Sequence, residues 1–301
     1  MIFMKIYITG ASGRLGRELL GLIPDAIPLV RKKCNIKNSI VTDFSSDQLK
    51  KTLKNADVVI HLAGSRDFLD QKKAWEGNVE LTRRIVEAMP KTAKIIYSSS
   101  ISVYGKKLVG LPANENTETR PDTPYAKTKL EAEKIISTTP NHVILRIGPI
   151  YGQGFEEYFK VLRMVAKGKM KIIGDGNNHI PFVHVSDVAM AIKNAIEKGH
   201  GIYVIVGDCL TQKQIYGIAA KSLEVEPPKK HLSITIAKLF AHFELFRTSN
   251  FGGTPKFIPE DIAVLSSDRD FDCKKAKKEL EFEPRKLEDG IKEMIKEMQS
   301  K

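Results

Sequence analysis

The chain has 301 residues, 42% hydrophobic and 7% aromatic, and its 48 Lys and Arg outnumber its 36 Asp and Glu to give a formal net charge of +12. That length holds one large or two modest domains. The cationic excess suits anionic ligands or a basic surface, but the few aromatics are not interleaved with the basic runs, so nucleic-acid stacking is not expected. No run approaches the ~20 apolar residues of a membrane span. Cys34, Cys209 and Cys273 lie too far apart for a zinc site or a disulfide framework, and the chain opens on a strand rather than a signal segment, so a cytoplasmic protein without a metal is expected.

Ile6, Tyr7 and Ile8 read as a buried strand that runs straight into "ITGASGRLG", with Leu15, Leu19 and Leu20 starting a helical face behind it. A glycine turn between strand and helix lets a pyrophosphate approach the backbone, and the helix N-terminus supplies free N–H groups and partial positive charge. Gly10 would make the tight turn, Gly13 allow the approach and Gly16 let helix pack on strand. The spacing is G-x-x-G-x-x-G, not the G-x-G-x-x-G of the dinucleotide fingerprint. Strands follow at 25–30, 39–44, 56–64, 93–100 and 141–148, with helices at 45–55, 78–89 and 125–136 between them. This alternation predicts an α/β fold, a doubly wound parallel sheet of Rossmann type, whose ligands sit beyond the carboxyl ends of the strands. After about residue 150 the pattern becomes a helix at 156–168, a turn at 174–178, strand then helix over 180–199, a buried strand at 202–207, and a charged helical tail from Lys274. Between them, Ile236, Leu239, Phe240 and Phe243 form an apolar stripe within 231–246. Such a stripe most often faces a core or a homodimer partner; the other readings are a lid over an apolar pocket and a membrane-surface contact.

The segment from Ile95 to Glu133 carries the chemistry. Tyr125 and Lys129 are four residues apart on a predicted helix and share a face. An ammonium beside a phenol stabilises the phenolate, so the pair can pass a proton to or from a carbinol oxygen, and a strand-end hydroxyl such as Ser100 can hold that oxygen.

The order of these pieces is what gives them weight. The opening glycines, "HLAG", Asn78 opening a helix, "YSSSISVYG", "PYAKTK", "LRIGPIYG", "GDGNN…PFVHVSDVAMAI" and "FDCKKAKKELEFEP" together resemble the extended short-chain dehydrogenase/reductases, the NAD-dependent epimerase/dehydratase family. The resemblance implies a dinucleotide-binding domain over 1–150, with 181–208 returning to it, and a smaller C-terminal substrate domain from 151–180 and 209–301. It implies an enzyme with Tyr125 as acid/base, Lys129 lowering its pKa and binding the nicotinamide ribose, and Ser100 on the reacting oxygen. The implied cofactor contacts are Gly10, Ser12, Gly13, Arg14, Leu15 and Gly16 in the loop, Asp43 and Phe44 at the adenine, and Leu62, Ala63 and Gly64 below the adenosine. Asn78, Ser98 and Ile147 complete the set, although the turn preferences of serine favour Ser98 and Ser99 as strand-end caps.

Departures from the family pattern shape the remaining expectations. No acid ends the second strand; "VRKK" does, so Arg31 and Lys32, with Arg14, favour NADP(H) over NAD(H) by pairing with a 2′-phosphate. Where nucleotide-sugar enzymes of the family often carry a diphosphate-binding arginine, this chain has Ile180. Where its sugar dehydratases carry two acids, this chain has Ile101 and Ser102, which cannot remove water. "FIPEDIAVLSSDRDFD" looks like the dihydroflavonol-reductase and 3β-hydroxysteroid-dehydrogenase-like branch. The reading is hydride transfer at a carbinol or ketone of an apolar or small substrate. The alternatives are a nucleotide-sugar 4-epimerase and a non-catalytic dinucleotide sensor, the latter disfavoured because Tyr125, Lys129 and Ser100 are all present.

Overall fold

The computed structural model describes residues 4–65, 70–253 and 258–300. The opening residues 1–3, and Phe257 at the head of "FIPEDIAVLSSDRDFD", lie outside the described residues.

The first half alternates as its apolar runs imply: β1 (Ile6–Thr9), α1 (Arg14–Leu22), β2 (Ile27–Val30), β3 (Ile40–Val41), α2 (Ser46–Leu53) and β4 (Val58–His61). Next come α3 (Gln71–Trp75), a wide π-helical turn (Glu76–Glu80), α4 (Leu81–Ala88), β5 (Lys94–Ser100), a 3₁₀ turn (Ile101–Tyr104), α5 (Pro124–Ile136) and β6 (His142–Ile147). The second half is more broken. It comprises β7 (Ile150–Tyr151), α6 (Glu157–Ala166), β8 (Ile172–Ile173), β9 (His179–Pro181), β10 (Val183–His184), α7 (Val185–Glu197), β11 (Gly201–Ile205), β12 (Cys209–Thr211), α8 (Gln212–Ser222), β13 (His231–Leu232) and α9 (Ile234–Phe251). It closes with α10 (Pro259–Leu265), α11 (Lys274–Glu279) and α12 (Leu287–Ser300).

The seven-stranded sheet has the order β11-β6-β5-β4-β1-β2-β3, and every pair in it is parallel. Strand order reverses between β1 and β4, which opens a crevice at their carboxyl ends. The strands are apolar on both faces because both are covered. Ile8, Ile60, Ile96 and Leu145 point into the core shared with α1 and α7. Tyr7, Val59, Ile95 and Tyr97 point the other way, to Leu49, Leu53, Leu81 and Ile85. A separate core, with Tyr151, Phe159, Leu162, Ile215, Tyr216 and Met294, joins α6, α8 and α12 into the smaller C-terminal unit.

Three expectations change. The strand expected over 39–44 is only two residues long, because the Asp43 carboxylate accepts from the Ser45 N–H at 2.7 Å and Phe44 turns to φ 62°. Asn78 does not open a helix: the helical run starts at Gln71, capped by Asp70 accepting from the Lys73 N–H at 3.0 Å, and Asn78 sits inside the π-turn. The apolar stripe does not face a core, since Ile236, Leu239, Phe240 and Phe243 are all exposed.

Candidate active site

The first strand delivers the chain to the crevice with Gly10 at φ +71°, where a Cβ would come within 2.6 Å of the Ala63 nitrogen. Gly16 is as tightly held: its Cβ would lie 2.5 Å from the Gly10 carbonyl, so α1 and β1 approach only because neither residue has a side chain. Gly13 closes the turn by donating to the Gly10 carbonyl at 3.0 Å, and it caps α1 with no side chain on the helix end. The N–H groups of Arg14, Leu15 and Gly16 are therefore those an α-helix leaves without intrahelical acceptors, with exposed Ser12 beside them. A bare cradle of this shape fits a dinucleotide pyrophosphate. Arg14 does not turn to Arg31 and Lys32 as the sequence implied. Its guanidinium donates to Glu157 at 2.6 and 2.8 Å and lies 3.8 Å over the Phe155 ring.

The loop after β4, where the sequence resemblance puts the adenosine, sits on a polar lattice. The Leu62 N–H donates to the Thr9 carbonyl at 3.2 Å and the Ala63 N–H to Thr9 Oγ1 at 3.2 Å. His61, fully buried, bridges Thr9 at 2.7 Å and Thr82 at 3.0 Å. Burial, with the nearby Lys129 charge, pushes its imidazole down to about 3, so it is neutral. Asp43 is exposed, and its carboxyl is held below the usual range by the Ser45 N–H. Phe44 is buried in the core, with the Arg31 guanidinium 5.8 Å from its ring, while Arg31 and Lys32 are exposed. Asn78 is buried and ties the loop after β4 to α5. Its Oδ1 accepts from the Ser65 N–H at 2.9 Å, and its Nδ2 donates to the Ser65 carbonyl at 3.0 Å and Thr128 Oγ1 at 2.9 Å. Gly64 lies under this tie, where a Cβ would meet Asn78 Oδ1 at 2.6 Å and come within 3.5 Å of Lys129 Nζ.

Helix α5 starts sharply because Thr123 Oγ1 accepts from the Ala126 N–H at 3.1 Å and Pro124 occupies its first turn. It packs along β5 and the 3₁₀ turn, which brings Tyr125 and Lys129 to the strand end that carries Ser98 and Ser100. Lys129 is buried; its Nζ donates to the Ser98 carbonyl at 2.8 Å and lies 4.8 Å from the Tyr97 ring centroid and 6.0 Å from that of Tyr125. Burial lowers its pKa to about 8. Ser98 donates to the His61 carbonyl at 3.2 Å, and Ser100 Oγ accepts from the Ser102 N–H at 3.1 Å. Ile147 is buried and is the β6 register partner of Ser100.

Two features were not singled out in the sequence. Beneath the site, Glu133, one turn beyond Lys129, accepts from Ser99 at 2.5 Å and from Arg146 Nη2 at 2.7 Å, and Arg146 donates on to Tyr104 at 2.9 Å. The signal was an arginine inside the apolar strand "VILRIG", since a charge there requires a buried partner. The second is Arg269, buried, donating from Nη2 to the Ile101 carbonyl at 2.9 Å, with Nε unpartnered among the described residues. Burial pulls its pKa down to about 10 against the attraction of Asp122 and Glu260. In "SSDRDFD" it looks like one more surface charge. Ile180, expected to stand where a diphosphate-binding arginine often does, packs into the C-terminal core.

The family model of the NAD dependent epimerase/dehydratase family matches residues 6–207. The chain belongs to this family. It is an enzyme of the extended short-chain dehydrogenase/reductase type, in a family that is NAD-dependent. It is 27% identical to an N-acetyl-alpha-D-glucosaminyl-diphospho-ditrans,octacis-undecaprenol 4-epimerase of Escherichia coli O157:H7, over 78% of this chain and 77% of that one. It is 27% identical to a 3beta-hydroxysteroid-dehydrogenase/decarboxylase of Arabidopsis thaliana over 82% of this chain and 49% of that one. The fold matches the crystal structure of UDP-N-acetylglucosamine 4-epimerase from Bacillus cereus with a TM-score of 0.77 and 21% identity, covering 99% of this chain and 98% of the other.

Proposed function

We propose that this enzyme transfers hydride at a carbinol or ketone carbon of an apolar or small substrate, with Tyr125 as the acid/base, Lys129 as its electrostatic support and Ser100 as the donor to the reacting oxygen. The observation that carries this reading is the buried Lys129 ammonium on the same face of α5 as Tyr125, held by the Ser98 carbonyl at the end of β5. A bound nicotinamide dinucleotide supplies or accepts the hydride. The protein's part is the proton. Tyr125 donates it to the oxygen of a ketone or removes it from that of a carbinol, and the Lys129 charge stabilises the phenolate left behind. Ser100 orients that oxygen, while its own hydroxyl is positioned by the Ser102 N–H. Dehydration is outside this repertoire, because Ile101 is buried and apolar and Ser102 offers only a hydroxyl.

The exposed Arg31 and Lys32, with no acid at the end of β2, support NADP(H) as the preferred cofactor. Titration of the purified protein tests this: Arg31→Ala should weaken NADPH binding about tenfold and leave NADH unchanged, as expected of a lost charge-assisted contact. Tighter NADH binding in the wild type contradicts the preference.

A second reading, a nucleotide-sugar 4-epimerase, is favoured by buried Arg269, whose unpartnered Nε suits an anionic group next to the Ser100 turn. The two readings separate in one assay. Purified enzyme is incubated with cofactor and, in turn, hydroxysteroid, isoprenoid and small keto compounds, and UDP-, GDP- and dTDP-sugars. Substrate-dependent net change in cofactor absorbance with an apolar compound supports the dehydrogenase. Interconversion at C4 of a nucleotide sugar with no net cofactor change moves the assignment to the epimerase.

A further inference from the structure

Helix α9 is built inside out. Its inward face is Ala237, Ala241, Glu244 and Thr248, all buried, and the two alanines pack with Ile173 and Ile262. Its outward face carries the bulk: Ile236 is 47% exposed, Leu239 70%, Phe240 57%, Phe243 63% and Phe246 63%. At 3.6 residues per turn these five positions fall on one arc of roughly 120°. Single exposed apolar side chains are ordinary, but five on one arc mark an interaction surface. The arc points away from the C-terminal core, so it is not a lid folded over a pocket in that core.

The chain that leads into this helix is positive. Lys238 is exposed on the helix itself. The two-strand ribbon that feeds the helix, β13 on β8, starts from Lys230 beside Lys171, with the Ile172 N–H on the Lys230 carbonyl at 2.9 Å. Lys169 and Lys229 extend this cluster, and all four are exposed. Two acids of this stretch are committed: Glu244 is buried and paired with Arg247 at 2.8 Å, and Glu226 is paired with Lys229 at 3.0 Å.

We propose that α9 docks this enzyme on an anionic lipid surface, with Ile236, Leu239, Phe240, Phe243 and Phe246 seated at the acyl boundary and the lysines on the headgroups. An exposed apolar helix face with a cluster of lysines in the chain that feeds it suits the acyl boundary and headgroups of an anionic bilayer. A second copy of the chain fits less well. A two-fold contact pairs a patch with itself, and the exposed lysines of the chain that leads into α9, doubled in a dimer, would meet no acid on the exposed arc. Docking also reaches the catalytic region: α9 packs on α10, whose Glu260 holds Lys106 at 2.9 Å in the loop between Ser100 and Tyr125. The proposal does not depend on which substrate reading holds.

The test is co-sedimentation of the full chain with phosphatidylcholine vesicles, with and without phosphatidylglycerol, alongside sedimentation velocity without lipid. The wild type should pellet with the anionic vesicles, and added salt should release it. Phe240→Ser with Phe243→Ser should reduce partitioning at least about tenfold. Lys171→Glu with Lys230→Glu should do the same at low salt. The double Phe variant should keep the wild-type circular dichroism and cofactor binding, because both sites are surface positions. As an independent readout, Phe243→Trp emission should shift to the blue on anionic vesicles, over the background of Trp75, the chain's one tryptophan. Absence of pelleting with anionic vesicles, or equal pelleting of the double Phe variant, overturns the proposal. So does conversion of a wild-type dimer to a monomer by those substitutions, which assigns the face to a second copy.

Discussion

Helices α5 and α9 are similar in kind and opposite in use. Each carries apolar and polar residues at helical spacing. Helix α5 turns polar groups inward: Lys129 and Glu133 are buried, each with a specific partner, the Ser98 carbonyl and the Arg146 guanidinium. Helix α9 buries alanines and turns its phenylalanines outward. Burying charge is costly unless it is paired, and exposing large apolar surface forgoes about 1.5–3 kcal/mol per side chain. Each helix therefore departs from the arrangement that stability alone favours. The departure in α5 supplies a charge beside a phenol, and that in α9 leaves an apolar face open to solvent.

If α5 is the chemical helix, removing its proton donor should have the largest effect of any single change. Tyr125→Phe keeps the ring and its packing, and should lower turnover by about 10²–10⁴-fold while leaving cofactor affinity and melting temperature near wild type. Stopped-flow cofactor absorbance checks the first, and calorimetric titration and scanning check the others. The support under α5 is expected to matter for stability instead. Glu133→Gln leaves Arg146 as a buried charge without its counter-ion and should destabilise the fold by about 3–5 kcal/mol in denaturant titration; a loss under about 1 kcal/mol would mean that Tyr104 and Ser99 suffice.

On α9 the ordinary expectation for a helix is inverted. Ala241→Leu, a change to a residue usually at home in helices, should cost about 1–3 kcal/mol because it overfills the contact with Ile173 and Ile262. Phe243→Ser, the loss of a large apolar side chain, should change stability by no more than about 0.5 kcal/mol. The same denaturant titration on both variants decides. The reverse ranking would mean that the face of α9 buried in the protein is the phenylalanine face.

The sheet and its crevice were legible because continuous runs such as "VVIH" and the alternation of strand and helix leave little freedom in a parallel sheet. Gly10 and Gly16 were legible for a physical reason as well: backbone from β1, the loop after β4 and α1 meets there with no room for a Cβ. The pairing of Tyr125 with Lys129 followed from helical spacing alone. Three features were not readable, each for its own reason. Arg14 is claimed by Glu157 and Phe155, partners some 140 residues away that no local pattern predicts. Asn78 lies in a π-turn, which has no composition signal distinct from an α-helix. The direction of the α9 stripe could not be read because periodicity gives the faces of a helix but not which face meets the rest of the chain. The alanines at 237 and 241 were the available hint, since small residues allow close packing.

In the mechanism proposed here, the Lys129 charge is what makes Tyr125 work. The Lys129 pKa is lowered from the usual 10.5 to about 8 by burial, so its charge is present below that pH and is lost above it. The unfolded chain keeps the proton up to 10.5, so between about 8 and 10.5 stability from this group rises with pH while the charge that supports Tyr125 disappears. The measurement is the pH dependence of single-turnover hydride transfer in the wild type and in Lys129→Met, with cofactor saturating. The account predicts a wild-type rate that falls as pH rises through about 8, and a slower variant, by roughly 10²-fold, without that limb. A variant that retains both the wild-type rate below pH 8 and the same fall above it would contradict the account.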